Sequence, residues 1–253
     1  MSEPISLAIP GCDCLRVWRI RGAGQLPIIR TVTVAGTLRA ALIRLAEQQN
    51  GSPRLPVALH GQPRSDGIHA HAFYLPEDRN GDGHIDHLAI FAPGGFCSAS
   101  VRLLDGLQEL RISRAGQFRL SVHPRPEILY PPSRAWLSTT PFLGPRHAWR
   151  SPGRVRRGRE VTAQLRHELK RLRTASGQSL PAAEVCPVRP FGIPRASAFT
   201  LGSRFDKAPS HPVRGWFAVE FPRPVHGPLA LGVGAHFGLG QLRPFLNAAA
   251  CPL

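Results

Sequence analysis

The most distinctive part of the sequence is the stretch Gly232-Val-Gly-Ala-His-Phe-Gly-Leu-Gly-Gln-Leu-Arg243. Its four glycines allow a backbone to adopt positive φ angles and to approach a ligand closely. A histidine, His236, and an arginine, Arg243, inside such a loop indicate a partner that carries phosphate. The same glycines are also typical of a β-bulge or of tight packing, so the loop by itself does not establish a ligand site.

The chain is strongly basic. It has 32 Lys+Arg against 16 Asp+Glu, which gives a formal net charge of +16. Only Lys170 and Lys207 are lysines, so arginine carries almost all of the positive charge. Guanidinium groups match phosphate geometry and stack on bases, so we expect nucleic acid as the partner and no membrane surface. A GC-rich genome explains arginine in place of lysine, but not the excess of basic over acidic residues.

The cysteines and the N-terminus indicate a cytoplasmic protein. The five cysteines are scattered and include no zinc-type CxxC pair, so we expect reduced thiols, no resident metal and no cofactor. The first residues lack the basic start and the apolar run of a signal peptide. No run reaches the roughly 18 apolar residues that a membrane helix needs.

The predicted elements of the first half follow the order β-α-β-β-α-β, which is typical of a ferredoxin-like unit. Strands are predicted over 14–20, 69–75, 87–91 and 118–122, and helices over 34–48 and 98–107. After the proline-rich segment 124–132 the pattern restarts, with a helix over 159–172 and strands over 136–140, 184–188, 215–221 and 229–233. We therefore predict an α+β fold of two tandem ferredoxin-like (RRM-like) halves, residues 1–125 and 133–253, with the glycine-rich loop at 232–243.

The run Asp78-Arg-Asn-Gly-Asp-Gly-His-Ile-Asp86 matches the first part of an EF-hand calcium loop. The position that needs a bidentate acid is Ala89, and the flanking segments are predicted strands instead of helices. Asn, Asp and Gly are also the residues that connect two strands of a hairpin. The hairpin is therefore favoured over a calcium site.

His69 and His71 are two residues apart and share one face of a predicted strand. One of them could act as a general base while the other positions a phosphate. Alternatively the pair could hold a metal, with His87, Asp82 or Asp86 as a third ligand. Two histidines with a purely structural role are the third possibility.

A second basic region lies in the second half. Arginines between 150 and 159 lead into a predicted helix whose basic residues recur at helical spacing on one side. Opposing acids are sparse there, which favours a strip that contacts RNA over a solvated face. The expected RNA contacts are Arg146, His147, Arg156, Arg157, Arg166, Lys170 and Arg173. Arg146 and His147 precede the run, and for these two an ordinary surface position explains the residues equally well.

Several motifs together resemble one family of CRISPR-associated proteins within the RAMP superfamily. They are His69-Ala-His-Ala-Phe-Tyr-Leu-Pro-Glu-Asp78, Asp82-Gly-His-Ile-Asp-His-Leu88, Thr140-Pro-Phe142 with Arg146-His147, and His236-Phe-Gly-Leu-Gly240. From about Arg30 to Pro244 the chain resembles the Cas-six-like repeat endoribonuclease half of the type I-G (formerly I-U) Cas-five/Cas-six fusion subunit, of the Csb family.

The resemblance implies metal-independent cleavage of CRISPR repeat RNA by the RNA's own 2′-hydroxyl. Because histidines cluster in the two most family-like motifs, the catalytic candidates are His69, His71 and His236. We expect His71 or His69 to be the general base, and His236 and Arg243 to contact the scissile region or hold the 3′ stem. The resemblance also implies that the loop holds RNA through Gly232, Gly234, Gly238, Gly240 and Arg243.

The expected partners are crRNA and other type I-G Cascade subunits, namely the backbone subunit and a separate Cas-five-like subunit, since in that family the module is half of a longer chain. One departure concerns the base: many repeat endoribonucleases of the superfamily carry a histidine near the first helix, and residues 31–49 contain none. Two alternatives stay open. One is a non-catalytic crRNA-binding subunit, and the other is a metal-dependent hydrolase that uses His69, His71 and His87.

Overall fold

The computed structural model describes residues 3–9, 11–60, 72–151, 153–174, 177–188, 194–201 and 209–245. Within them the chain forms two compact units. The N-terminal unit comprises residues 8–129 and 236–238. The C-terminal unit comprises the described residues among 1–7, 130–235 and 239–253, and it includes the first short strand, β1 (Ile5–Ser6).

The N-terminal unit has a ferredoxin-like topology. Its elements are β2 (Leu15–Arg21), α1 (Thr31–Asn50), α2 (Val57–His60), β3 (Phe73–Glu77), β4 (His87–Phe91), α3 (Ser98–Gly106), β5 (Glu109–Ile112) and β6 (Gly116–Val122). The strands are ordered β3-β4-β2-β6-β5, and all neighbours are antiparallel. Apart from β5, this is the arrangement of two interleaved β-α-β units, as the sequence predicted.

Helix α1 begins and ends where local chemistry dictates. Val34, Leu38 and Leu42 recur at helical spacing and are fully buried, so one stripe of the helix packs into the core. The helix ends at Gly51, whose φ of +65° is left-handed and whose N–H donates to the Glu47 carbonyl at 2.8 Å.

The loop between β3 and β4 is a hairpin connection, as the sequence favoured. The Asp78 carboxylate accepts the N–H groups of Gly81 at 2.7 Å and Gly83 at 2.8 Å. Asp86 accepts the N–H of Arg79 at 2.9 Å. The acidic side chains thus tie the loop to itself, and both of its flanks are strands.

The C-terminal unit repeats the topology without a second helix. Its remaining elements are β7 (Ser133–Ser138), β8 (Phe142–Leu143), β9 (Trp149–Ser151), β10 (Arg154–Val155), α4 (Val161–Arg171), β11 (Glu184–Val188), β12 (Arg214–His226), β13 (Leu229–Ala230) and β14 (Gln241–Pro244). The main strands are ordered β11-β12-β7-β14, and β1 pairs in parallel with β12. In place of the second helix, residues 231–240 form a loop with one short 3₁₀ turn, Ala235–Phe237. Both units therefore confirm the predicted fold class.

The glycine-rich loop is shorter than predicted. Residues 232–243 were expected to be loop throughout, but Gln241, Leu242 and Arg243 belong to β14. Leu242 lies opposite Ser138, and Arg243 lies opposite Leu137. This strand forms because it completes the sheet beside β7, and the short sequence gives little sign of it.

None of the helices in the described ranges is long and apolar enough to cross a lipid bilayer.

Candidate functional site

His236 is held in a fixed orientation. Its imidazole stacks on the Phe73 ring with 4.1 Å between centroids and an interplanar angle of 24°. Its Nδ1 lies 3.1 Å from the carbonyl oxygen of Ala72. A carbonyl only accepts, so we infer that Nδ1 carries a proton and that the lone pair of the neutral ring is on Nε2. An imidazole in this tautomer can accept a proton at Nε2.

The two residues after His236 anchor the same turn. The Phe237 ring stacks on the Tyr74 ring with 6.3 Å between centroids. The Gly238 carbonyl accepts the hydroxyl of Thr31, the buried first residue of α1, at 3.5 Å. These three residues belong to the N-terminal unit, and within it each contacts the start of β3 or the start of α1, which fixes where the imidazole lies.

The structure brings two of the family-like motifs together at Ala72 and Phe73. Ala72 directly follows His71 in the chain, but His69 and His71 themselves lie outside the described residues. Their catalytic role, and the alternative that they bind metal, stay predictions.

His87, the proposed third metal ligand, has another partner. Its Nδ1 lies 2.9 Å from Oδ1 of Asp86. Burial of the Asp86 carboxyl raises its pKa, but hydrogen bonds from His87 and from the Arg79 N–H outweigh this, so the pKa is lowered overall. Within the described ranges, no group of three His, Cys, Asp or Glu side chains is placed to hold a metal ion.

Packing within the C-terminal unit explains two of the glycines. Gly232 has a φ of +87°, and a Cβ there would lie 2.4 Å from the Leu143 carbonyl oxygen. Gly240 has a φ of +61°, and a Cβ there would lie 1.9 Å from the Leu231 carbonyl oxygen. Only glycine fits both constraints. The tight-packing interpretation therefore accounts for these glycines, and RNA binding by them stays a prediction.

The glycines flanking the turn have left-handed backbones too, with φ values of +77° at Gly234 and +82° at Gly238. Arg243 lies on β14 with its side chain exposed. Its role as an RNA contact, like that of the glycines, stays a prediction.

An arginine-rich hairpin, β9–β10, extends the basic region. The arginines in and beside this hairpin are exposed, namely Arg150, Arg154, Arg156 and Arg157. Among the residues that the structure describes, none of the four forms an ion pair with an acid. Trp149 at the start of β9 is 38% exposed, and its indole N–H donates to the His211 carbonyl at 2.6 Å. The sequence indicated the charge of this segment, but not its hairpin.

Gln164 holds the backbone around Arg146. Its side-chain oxygen accepts the Arg146 N–H at 2.9 Å. Its amide nitrogen donates to the carbonyls of Arg146 at 3.2 Å and of Arg159 at 2.9 Å. The Arg146 guanidinium also contacts Nε2 of His167, which must be the acceptor because guanidinium only donates. Sequence reasoning did not find Gln164 or His167, because an amide and a histidine between basic residues look like ordinary surface residues. His147 is exposed.

The basic residues of α4 differ in how they are engaged. Arg166 is exposed and reaches the Val185 carbonyl at 3.5 Å, and Lys170 is exposed. The Arg173 guanidinium donates to the carbonyls of Lys170 at 2.7 Å and of Leu172 at 3.0 Å, so it caps the end of the helix. The structure therefore gives Arg173 a local structural task, and its predicted RNA contact remains untested.

No protein-family model matches the sequence, and no curated protein matches it either. The chain is similar to several solved structures. One, described as "CRISPR associated protein Cas6", has 12% identity and a TM-score of 0.48 over 92% of this chain and 99% of its own. Another, "An RAMP protein binding different RNA substrates", has 11% identity and a TM-score of 0.42 over 92% and 99%. A third, "Csf5, CRISPR-Cas type IV Cas6 crRNA endonuclease", has 12% identity and a TM-score of 0.33 over 91% and 98%. At these levels the likeness does not by itself assign a function.

Proposed function

We propose that this chain binds CRISPR repeat RNA and cleaves it without a metal ion, using the RNA's own 2′-hydroxyl. The observation that carries the proposal is the imidazole of His236, which Ala72 and Phe73 hold in a turn flanked by two glycines. The motif resemblance and the charge of +16 are consistent with an RNA substrate.

The proposed reaction needs a base, an electrophilic phosphate and a leaving group in line. Nε2 of His236 takes the 2′-hydroxyl proton, and the 2′-oxygen forms a bond to the adjacent phosphorus. The bond from phosphorus to the 5′-oxygen breaks, and that oxygen receives a proton from a general acid. We assign this role to His69 or His71, which the sequence suggested as candidates for the base. The products are a 2′,3′-cyclic phosphate and a 5′-hydroxyl.

The exposed arginines of the β9–β10 hairpin and the exposed basic residues of α4 are proposed to hold the RNA. They lack acidic partners among the described residues, so their charge is available to phosphates. We further propose, on the resemblance alone, that the chain stays with the crRNA and joins a Cas-five-like subunit and a backbone subunit of a type I-G Cascade.

The test is cleavage of labelled cognate repeat RNA by the full chain in EDTA, under single-turnover conditions. We expect product with a 2′,3′-cyclic end, and none from RNA with a 2′-deoxy nucleotide 5′ of the scissile phosphate. His236→Asn keeps an N–H donor near Ala72 but removes the base, so the rate should fall by roughly 10²–10⁴ while RNA affinity is kept. His84→Asn, in the β3–β4 loop, is the matched control and should cleave normally.

The other outcomes separate the alternatives. Cleavage that requires a divalent metal overturns the mechanism and favours a metal-dependent hydrolase. Tight binding without cleavage by the wild-type chain favours a non-catalytic crRNA-binding subunit. An unchanged rate in His236→Asn removes His236 as the base and leaves the two histidines of the 69–78 motif to be tested in the same way.

A further inference from the structure

One face of the N-terminal sheet exposes a group of arginines. In β2, the exposed Arg19 and Arg21 flank the buried Ile20. In β6, Arg119 is exposed next to the buried Phe118, and in β5, Arg111 is exposed between two buried residues. Alternate residues of a strand point to opposite faces, so these four side chains share one face, which we call the arginine face: Arg19, Arg21, Arg111 and Arg119.

The strand register places like charges side by side. Arg21 lies directly opposite Arg119 across the β2–β6 pair. Arg111 lies opposite Gln117. Two acids of the described ranges lie on this face. Glu109 is opposite Arg119 on its other side, and its carboxylate accepts a hydrogen bond from Gln117. Glu77 is in line with Arg19 across His87. Its carboxylate forms an ion pair with Arg79. Among the residues that the structure describes, no arginine of the arginine face forms an ion pair.

This arrangement disfavours the isolated fold and favours an anionic ligand. Like charges directly opposite each other in a sheet are destabilising, whereas an anion between them is attracted by both. The same unit neutralises a different arginine fully: Arg16, on the other face of β2, contacts Asp13 at 3.3 Å and Asp105 at 3.2 Å. The unpaired charges of the arginine face therefore call for a partner outside the chain.

The spacing and chemistry of this face fit the backbone of RNA. Opposite side chains in a sheet are about 5 Å apart and successive ones on a strand face about 6.7 Å apart, which is comparable to the separation of successive phosphates. The exposed residues between the arginines are Gln117 and Ser121, so the exposed patch has no aromatic platform on which a base could stack.

We propose that the arginine face binds the phosphate backbone of the substrate RNA without reading its sequence. The inference rests on the proposed function for the identity of the ligand. In the sheet order, β6 is three strands from β3, which carries Phe73 under His236, or about 14 Å across the sheet. Phe73 is also level with Leu15, which is six residues, or about 20 Å, along β2 from Arg21. The bound phosphates therefore belong to a segment of RNA at least two nucleotides from the one at His236.

The experiment is anisotropy of labelled repeat RNA, made uncleavable by a 2′-deoxy nucleotide, with the full chain at a series of salt concentrations. Arg21→Gln/Arg119→Gln removes two contacts. We expect affinity to fall about tenfold at physiological salt and the slope of log K against log salt to fall by about 1.4, twice the value for one single-strand phosphate contact. Arg54→Gln/Arg102→Gln removes the same charge from exposed positions elsewhere in the unit and should leave the slope unchanged.

A second variant keeps the test independent of folding. Arg21→Glu turns the opposed pair with Arg119 into an attractive one, so the unfolding temperature should rise while RNA affinity falls further. Equal losses in the two double variants would show a bulk charge effect and overturn the inference. An unchanged salt slope in Arg21→Gln/Arg119→Gln would also overturn the inference. The same holds if this variant loses binding to anionic lipid vesicles but keeps its affinity for RNA. If the wild-type chain does not bind repeat RNA, the proposed function itself has failed, which is a distinct result.

Discussion

Alanine at Gly240 should destabilise the C-terminal unit far more than alanine at Gly158, although both glycines have left-handed backbones. At Gly158, with a φ of +73°, no atom lies within 4 Å of an added Cβ, so only backbone strain of about 1–2 kcal/mol applies. At Gly240, with a φ of +61°, the added Cβ would lie 1.9 Å from the Leu231 carbonyl oxygen, so the loop must also shift. Overpacking adds about 1–3 kcal/mol, for a total of about 2–5 kcal/mol.

The assay is urea unfolding of both variants, followed by the fluorescence of a tryptophan in the C-terminal unit. Trp136 is a suitable reporter because it is 1% exposed and its indole N–H donates to the Ser133 carbonyl at 3.0 Å. The midpoint should fall clearly for Gly240→Ala and only slightly for Gly158→Ala. Equal losses would refute the reasoning, because strain would then be the whole effect and the close contact with Leu231 would carry no free energy.

Two further changes test the C-terminal unit. Gln164→Leu should lower the free energy of unfolding by about 2–4 kcal/mol, because it leaves the N–H of Arg146 and two carbonyls without their buried partner. Gln164→Glu keeps the acceptor for the Arg146 N–H and should lose less stability. Equal urea midpoints for the two variants would contradict this. Burial lowers the pKa of His226 below its ordinary 6.5, so the unfolded chain binds more protons and stability should decline as the pH falls below about 6.5. In His226→Gln this part of the decline in unfolding temperature should disappear; parallel pH profiles for the two proteins would mean that His226 does not report the change.

The elements that the sequence predicted well are those whose own residues determine them. The strands His87–Phe91 and Glu184–Val188 have the predicted bounds. Helix α1 was found from its leucine spacing, and it begins three residues earlier than predicted because a 3₁₀ turn, Ile28–Arg30, leads directly into it. The strands that were missed, β1, β5, β8–β10 and β14, have two to four residues each. Such segments are too short for a period to show, and they are strands because a distant segment pairs with them.

For a similar reason the sequence predicted only part of the candidate site. The glycine context singled out His236, but nothing local indicated that Ala72 and Phe73 would hold it, since the contact joins residues 164 positions apart. The arginine face was also missed. Arg19 and Arg21 belong to β2 and Arg119 belongs to β6, and only the register of these two strands shows that Arg21 and Arg119 are opposed.

The glycine content of the loop is therefore a weaker functional signal than it first suggests. Packing against Leu143 and Leu231 fully explains Gly232 and Gly240, so any protein with this loop conformation would need them whether or not it binds RNA. His236 is different, because no packing requirement explains an imidazole stacked on Phe73 with its Nδ1 proton on a backbone carbonyl when a phenylalanine could fill the same space. Substitution of the glycines would report mainly on folding, whereas His236→Asn changes the chemistry and preserves the donor to Ala72. The histidine, and not the glycines around it, is where the proposed function of the loop can be decided.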